Sequence, residues 1–172
     1  MINRARQRAI NQNTNHSWEN LSNRGLLKSA KLYTKDYQTN EEGITLAGIL
    51  LFGKDETILS VLPHYKTDLI LRKINLDRYD DRDDIRTNLI ESFDRIIAFG
   101  QKHLADPFYT EGNQRISARD KMLREIASNI LIHREFLSPF PAKMIIEKEK
   151  LITENANKPN GHGPINPTDF SP

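Results

Sequence analysis

The feature that most constrains this fold is a periodic run of apolar residues between Ile85 and Asp106. Positions spaced by three and four hold apolar residues or glycine, namely Leu89, Phe93, Ile96, Ile97, Gly100 and Leu104. A helix turns once in about 3.6 residues, so this spacing puts all of them on one face. Asp106-Pro107 then ends the pattern, because proline disfavours helical backbone in the residue before it. The chain is therefore predicted to contain an amphipathic helix with one buried face.

Two further helices are indicated by local signals. Ser117 and Asp120 form an S-x-x-D capping box, which predicts a helix that begins there and continues through KMLREIASNILIHREF. Two prolines follow this segment and prevent its continuation. The run ITLAGILLF, Ile44 to Phe52, is ended by Gly53 and predicts a buried helix, since it is too short to cross a membrane.

Strands are predicted in two regions. β-branched and aliphatic residues between Thr57 and Ile74 predict two strands, and Lys143–Ile146 with Leu151–Asn155 predict a hairpin around a charged EKEK tip. The segment Asp77–Asp84, DRYDDRDD, reads as a charged, solvated loop, because its spacing lacks the glycine turn and terminal Glu of a calcium loop. Helices and strands are intermixed without regular alternation, so the predicted fold class is α+β.

Composition excludes several classes of protein. The net charge of +2 gives no overall basic excess, so a nucleic-acid-coating protein is not indicated. The absence of cysteine excludes disulfides, thiolate metal sites and a cysteine nucleophile, and a cytoplasmic location is expected. No stretch of about 18 apolar residues occurs, so no membrane partner is expected. No G-x-x-x-x-G-K-[ST] phosphate loop occurs, so helicase activity is not expected of this chain.

The texture of the sequence divides it into three regions. Residues 1–24 are rich in Asn, Arg and Ser and read as a polar linker that docks at one point through Trp18. Residues 25–115 form the predicted α+β middle region, and residues 116–172 begin a further domain whose last part, from Ala156, reads as loop. Basic residues that could contact DNA phosphate cluster toward the N-terminus, namely Arg4, Arg6, Arg8, Arg24, Lys28 and Lys31.

A polar stripe on the capped helix is the candidate site. Glu125, Asn129 and His133 follow each other at intervals of four, so they lie on one helix face beside the apolar arc. A carboxylate orients or deprotonates an attacking water, and an amide oxygen coordinates Mg²⁺, so this pair suits phosphoanhydride hydrolysis. A solvated helix edge remains the alternative, since Glu19 and Asn23 have the same spacing in the polar linker.

The same helix carries a family resemblance. The run R-E-x-x-x-N-x-x-x-H-R, here Arg124, Glu125, Asn129, His133 and Arg134, resembles the start of the GHKL-type ATPase-like domain of RecG-helicase-related putative transcriptional regulators. The upstream GITLAGILLFG resembles the middle region of that family, which follows a divergent Alba-type, Schlafen-like domain. The resemblance spans roughly Gly25 to the end, and it implies that residues 116–172 are an incomplete fragment of a GHKL, or Bergerat-type, fold.

The resemblance also implies site roles. Glu125 would be the water-activating catalytic carboxylate, Asn129 the magnesium ligand, and ATP with Mg²⁺ the cofactors. His133 and Arg134 join Asn129 and Asn155 as cofactor-binding candidates. His133 is equally expected to be a structural histidine that bonds a backbone carbonyl, and Arg134 is expected to pair with a neighbouring carboxylate in preference to a phosphate.

Departures from the family pattern leave two functions open. GHKL enzymes have an Asp-x-Gly-x-Gly turn after the hairpin, whereas residues 154–157 here are ENAN and the glycines arrive later. The phosphate-cradling lid would have to follow Pro172. The preferred function is a regulatory or scaffold module of a bacterial transcriptional regulator, and the alternative is a Mg²⁺-dependent ATP-binding and hydrolysing domain. The expected partners are DNA, contacted through the full-length protein, and further copies of the chain.

Overall fold

The element order is that of an α+β fold, as the sequence predicts. A computed structural model describes residues 1–74, 77–112 and 114–156. Its helices are α1 (Ile2–Gln12), α2 (Asn23–Ser29), α3 (Leu46–Phe52), α4 (Asp55–Val61), α5 (Leu89–His103) and α6 (Ala118–Ile132). Its strands are β1 (Tyr33–Lys35), β2 (Glu42–Ile44), β3 (Thr67–Arg72), β4 (Asp81–Ile85), β5 (Thr110–Glu111), β6 (Gln114–Arg115), β7 (Ala142–Glu147) and β8 (Leu151–Glu154).

A four-stranded mixed sheet forms the centre of the fold. Its strand order is β4-β3-β7-β8, with β3 and β7 parallel and the other neighbours antiparallel. Leu69 of β3 lies opposite Asp83 of β4 and Met144 of β7. The predicted hairpin is confirmed as β7 and β8. Because β3 lies beside β7, the predicted middle region and the predicted C-terminal fragment share one sheet.

Helices α5 and α6 pack together on one face of this sheet. Ile96 and Phe99 of α5 and Leu123 of α6 are buried against Leu69 and Met144 in a single core. Gly100 of α5 faces Leu123 so closely that a Cβ there would lie 2.3 Å from the leucine Cδ2. Glycine therefore permits the close approach of the two helices.

A second, smaller core lies beneath α3 and α4. Leu50, Ile58, Leu62 and Tyr65 are buried together, and Phe136 from the loop after α6 packs against them. The helix predicted at Ile44–Phe52 is confirmed from Leu46 onward, but it is only partly buried, since Gly48 and Leu50 are buried whereas Leu46 is exposed.

Three local predictions need correction. The first strand predicted after Thr57 is helix α4, because Asp55 and Glu56 favour a helix N-terminus and apolar positions four apart reach the small core. The predicted loop Asp77–Asp84 runs into strand β4, whose carboxylates pair with cations on α5. The predicted linker contains helix α1, which Arg4 ties to α5.

Candidate functional site

Helix α6 is fixed at its first turn by the predicted capping box. The Ser117 hydroxyl accepts a hydrogen bond from the backbone N–H of Asp120 at 3.0 Å. The same hydroxyl donates to the Asp106 carboxylate at 2.9 Å. Hydrogen bonds from Gln101 and then from Arg119 lower the pKa of Asp120, which keeps a negative charge at the positive end of the helix. The rotation of α6 about its axis is therefore set before the candidate stripe begins.

Two members of the stripe, Glu125 and Asn129, meet on the exposed face of α6. The Asn129 side-chain amide donates a hydrogen bond to the Glu125 carboxylate, with 3.0 Å between Nδ2 and Oε1. Both residues are exposed, while Leu123, Ala127 and Ile130 turn into the core. The amide nitrogen is used by Glu125, so the Oδ1 of Asn129 is the side-chain atom left for a cation.

Asn155 joins the pair from the end of β8. Its Nδ2 donates to the backbone carbonyl of Asn129 at 3.1 Å. The Glu135 backbone N–H donates to the Ala156 carbonyl at 2.9 Å, which ties the chain after β8 to the loop after α6. The Oδ1 of Asn155 is buried and accepts no hydrogen bond within the described residues. The fold thus brings Glu125, Asn129 and Asn155 together.

His133 lies at the same end of α6, where its backbone N–H caps the helix on the Asn129 carbonyl. Its side chain is exposed and makes no hydrogen bond to any residue that the structure describes. The alternative of a structural histidine bonded to a carbonyl is therefore not seen in this part of the chain.

Arg134 turns away from the stripe into the protein. Its Nη1 donates to the Lys66 carbonyl at 2.9 Å and to the Thr67 hydroxyl at 3.2 Å. Its guanidinium lies 5.1 Å from the Tyr65 ring centroid and 5.3 Å from that of Phe136. Burial lowers the pKa of Arg134. The expected carboxylate partner is replaced by a carbonyl, a hydroxyl and two aromatic faces.

The basic residues near the N-terminus are mostly engaged within the fold. Arg4 and Arg8 pair with Asp94, and Arg24 and Lys28 pair with Glu42. Arg6 donates to the Leu21 carbonyl and to the side chain of Asn23. The carboxylates in these pairs partly neutralise the positive charges that would otherwise contact DNA phosphates.

Two surface grooves lie beside α5, away from the Glu125 and Asn129 pair on α6. One, of about 490 Å³, runs between α1, α5 and α6, and the other, of about 320 Å³, lies between β4 and α5. Neither is lined by Glu125 or Asn129. Within the described ranges, no three His, Asp or Glu side chains are grouped so as to hold a metal ion. Over the same part of the chain, no helix has both the length and the apolar character of a membrane span.

Comparison with known proteins bears on the first part of the chain. Residues 1–68 match the model of a domain of unknown function, DUF8451. The DUF8451 match covers α1 to α4 and the first two residues of β3, and it includes neither α5 nor α6. No curated protein and no solved structure matches the chain.

Residues that sequence reasoning missed come from distant parts of the chain. Tyr65 and Thr67 surround Arg134 from almost seventy positions away, and no local spacing indicates that contact. Asp94 holds α1 through Arg4, and its position on the polar side of the amphipathic helix was the available signal.

Proposed function

We propose that this chain is a regulatory or scaffold module of a RecG-related, Schlafen-like bacterial transcriptional regulator. In this proposal α6 and the β7–β8 hairpin form an ATPase-like layer that serves as a sensor rather than as a hydrolase. The observation that carries it is the hydrogen-bonded pair Glu125 and Asn129 beside Asn155 on one exposed face. In this proposal, that face corresponds to one wall of the resembled site.

Two features favour the scaffold over the enzyme. One oxygen of the Glu125 carboxylate, Oε1, accepts the amide of Asn129, and the pair lines neither of the two grooves, whereas binding sites are usually concave. Arg134, a member of the family run, is used to join α6 to the start of β3. The run is thus explained in part by folding.

The second candidate is Mg²⁺-dependent ATP binding and hydrolysis, favoured by the free Oδ1 of Asn129. Mg²⁺ keeps several waters and takes few protein ligands in nucleotide sites, so one amide oxygen fits its needs. In that case Asn129 would hold the ion and Glu125 would accept a proton from water, while the buried Oδ1 of Asn155 would have to become accessible before it could accept from an amino group. The bound Mg²⁺ would neutralise phosphate charge.

A thermal-stability titration with Mg-ATP separates the two functions. A ligand at 100 times its dissociation constant adds about 2.7 kcal/mol to the free energy of unfolding. Asn129→Ala should remove the ATP-dependent shift, whereas Asn20→Ala, an exposed control in the segment before α2, should keep it. No shift in the unaltered chain would contradict nucleotide binding by residues 1–172.

Phosphate release completes the test. The scaffold function predicts no release above background from the chain with Mg-ATP. Release that Glu125→Ala abolishes, in a variant whose circular dichroism is unchanged, would reject the scaffold. Glu149→Ala, at the exposed tip of the hairpin, is the matched control.

DNA and further copies of the chain remain the proposed partners, with DNA reached through other parts of the full-length protein. The pairing of Arg4, Arg8, Arg24 and Lys28 with carboxylates supports that assignment. A gel-retardation assay at low salt tests it, because phosphate contacts weaken steeply as salt rises. Tight, salt-sensitive retardation by this chain alone would contradict it.

A further inference from the structure

We propose that the groove between α1, α5 and α6 binds a small organic phosphate and acts as an effector site separate from the Glu125 stripe. Its rim carries Arg8 and Asn11 from α1, Asp94 from α5 and Arg124 from α6. Its cavity volume of about 490 Å³ lies within the range of about 300 to 1,000 Å³ typical of small-molecule sites.

The charges around this groove do not balance. Arg4 and Arg8 share the single carboxylate of Asp94, and the Arg8 contact is loose, with 3.9 Å between Nη2 and Oδ1. No carboxylate in the described part of the chain pairs with Arg124. Three guanidinium groups against one carboxylate leave two positive charges.

The nearest further carboxylate is already engaged. Asp120 accepts hydrogen bonds from Gln101 at 3.1 Å and from Arg119 at 3.1 Å. Its charge is therefore shared with the Arg119 guanidinium. The positive excess belongs to the rim formed by Arg8 and Arg124.

A phosphate monoester fits this excess in charge and in geometry. Its second pKa is about 6, so it carries nearly two negative charges at neutral pH. Guanidinium groups recognise phosphate through paired N–H donors in one plane. The side chains of Phe93 and Ile97 line the same groove and give an apolar surface for the organic part of the ligand. The amide of Asn11 supplies a further donor and acceptor at the rim.

A nucleic-acid backbone matches the groove less well. Repeated phosphates require a row of unpaired cations, whereas Arg24 and Lys28 are bound to Glu42. Nucleic acids and small organic phosphates both present a phosphate group, and the ligand proposed for this groove is the small molecule.

Ligand binding here would join three helices. Arg124 directly precedes Glu125 on α6, and α1 is otherwise held to α5 mainly through Asp94. An anion between Arg8 and Arg124 would tighten α1 against α6. The effector role rests on the proposed regulatory function, whereas phosphate binding does not.

Phenyl phosphate is a suitable probe for the intact chain. Calorimetric titration at low salt and about pH 8, above the second phosphate pKa of about 6, should detect binding, and phenol, which lacks the phosphate, should not bind. Arg124→Gln should weaken binding by about tenfold or more, the loss expected for a charge-assisted hydrogen bond. Arg78→Gln, an exposed arginine outside the groove, should leave the affinity unchanged.

A variant of opposite sign makes the test sharper. Asp94→Asn should tighten binding, because it frees Arg4 and Arg8 and removes a negative charge from the groove. Asp84→Asn makes the same charge change on the other side of the protein and should have a smaller effect. Equal effects of the two Asp variants would mean a general charge effect and would overturn the proposal.

Three other results would also overturn it. The first is that the chain does not bind phenyl phosphate at millimolar concentration, and the second is that a folded Arg124→Gln variant binds it with unchanged affinity. The third is that duplex DNA binds the chain more tightly than phenyl phosphate does and that Arg124→Gln abolishes this DNA binding. Asn129→Ala should bind phenyl phosphate like the unaltered chain. Failure of the nucleotide proposal at Asn129 is therefore distinguishable from failure of this site.

Discussion

The side-chain amide of Asn129 donates a hydrogen bond to the carboxylate of Glu125 one helical turn earlier, with 3.0 Å between Nδ2 and Oε1. The bond fixes the amide orientation and leaves its oxygen facing away from the carboxylate. The pair is exposed, so its contribution to stability is small, and its main effect is to set which atoms of α6 face outward.

Asn129→Asp should lower the free energy of unfolding by about 0.5 kcal/mol, because two carboxylates four positions apart on a helix repel each other. The loss should shrink at high salt, since ions screen exposed charges. Urea denaturation at two salt concentrations measures both effects. Asn129→Ala is the control without the repulsion, and equal, salt-independent losses in the two variants would contradict the prediction.

Arg134→Ala should destabilise the protein by about 2 to 4 kcal/mol, since a buried charge-assisted hydrogen-bond network and two cation–π contacts are lost. Arg134→Lys keeps the positive charge but loses the planar guanidinium, so its free energy of unfolding should lie between those of the unaltered chain and Arg134→Ala. Urea denaturation gives the values. A loss below about 0.5 kcal/mol for Arg134→Ala, the usual size for a surface change, would show that the buried contacts contribute little.

Gly100→Ala should cost about 1 to 3 kcal/mol of unfolding free energy, although alanine is the better helix former. The new Cβ would lie 2.3 Å from Cδ2 of the fully buried Leu123, so the leucine side chain must shift within the core or α5 and α6 must separate. Gly43→Ala is the matched control, because nothing lies within 4 Å of its Cβ position. Thermal denaturation of both variants tests the prediction, and equal midpoints would reject it.

The stability of the β4 edge should fall in acid through Asp81. Hydrogen bonds from Lys102 and then from His103 lower the pKa of Asp81 from 3.8 to about 2. A pKa that is lower in the folded than in the unfolded state means that the ionised carboxylate stabilises the fold above about pH 4 and that this contribution disappears as the pH falls toward 2.

Asp81→Asn should therefore be less stable than the unaltered chain near neutral pH, and the difference should narrow as the solution is acidified. Unfolding free energies measured across this range give the comparison. Carboxyl NMR titration of the folded chain provides a direct check, and a midpoint near 4 for Asp81 would show that Lys102 and His103 do not hold it.

Local patterns in the sequence were sufficient for the two main helices. The apolar period of α5 and the Ser117 cap of α6 both act within a few residues, so the chain needs no distant partner to specify them. The hairpin β7–β8 follows in the same way from two short apolar segments on either side of a charged tip. The spacing of Glu125 and Asn129 likewise puts them on one helix face, because four residues make about one turn.

Long-range contacts determined what local patterns could not. Asp81 and Asp83 read as part of a solvated loop because their partners, Lys102 and Arg95, lie on another element. The sequence of helix α4 predicts a strand, and its helical form is explained by the packing of its apolar side against Tyr65. Asn155 lies 26 residues after Asn129 in the chain, and its contact with the Asn129 carbonyl depends on the register between β7 and β8.

The sequence by itself thus determined the fold class, the helices that carry the core and the shared face of Glu125 and Asn129, because helical periodicity and capping are short-range effects. Only the tertiary structure decided that Arg134 is buried beside the stacked rings of Tyr65 and Phe136 and that Arg124 and Arg8 line one groove. A charged side chain is compatible with solvent, an ion pair or a buried carbonyl, and which of these it meets depends on the elements that pack around it.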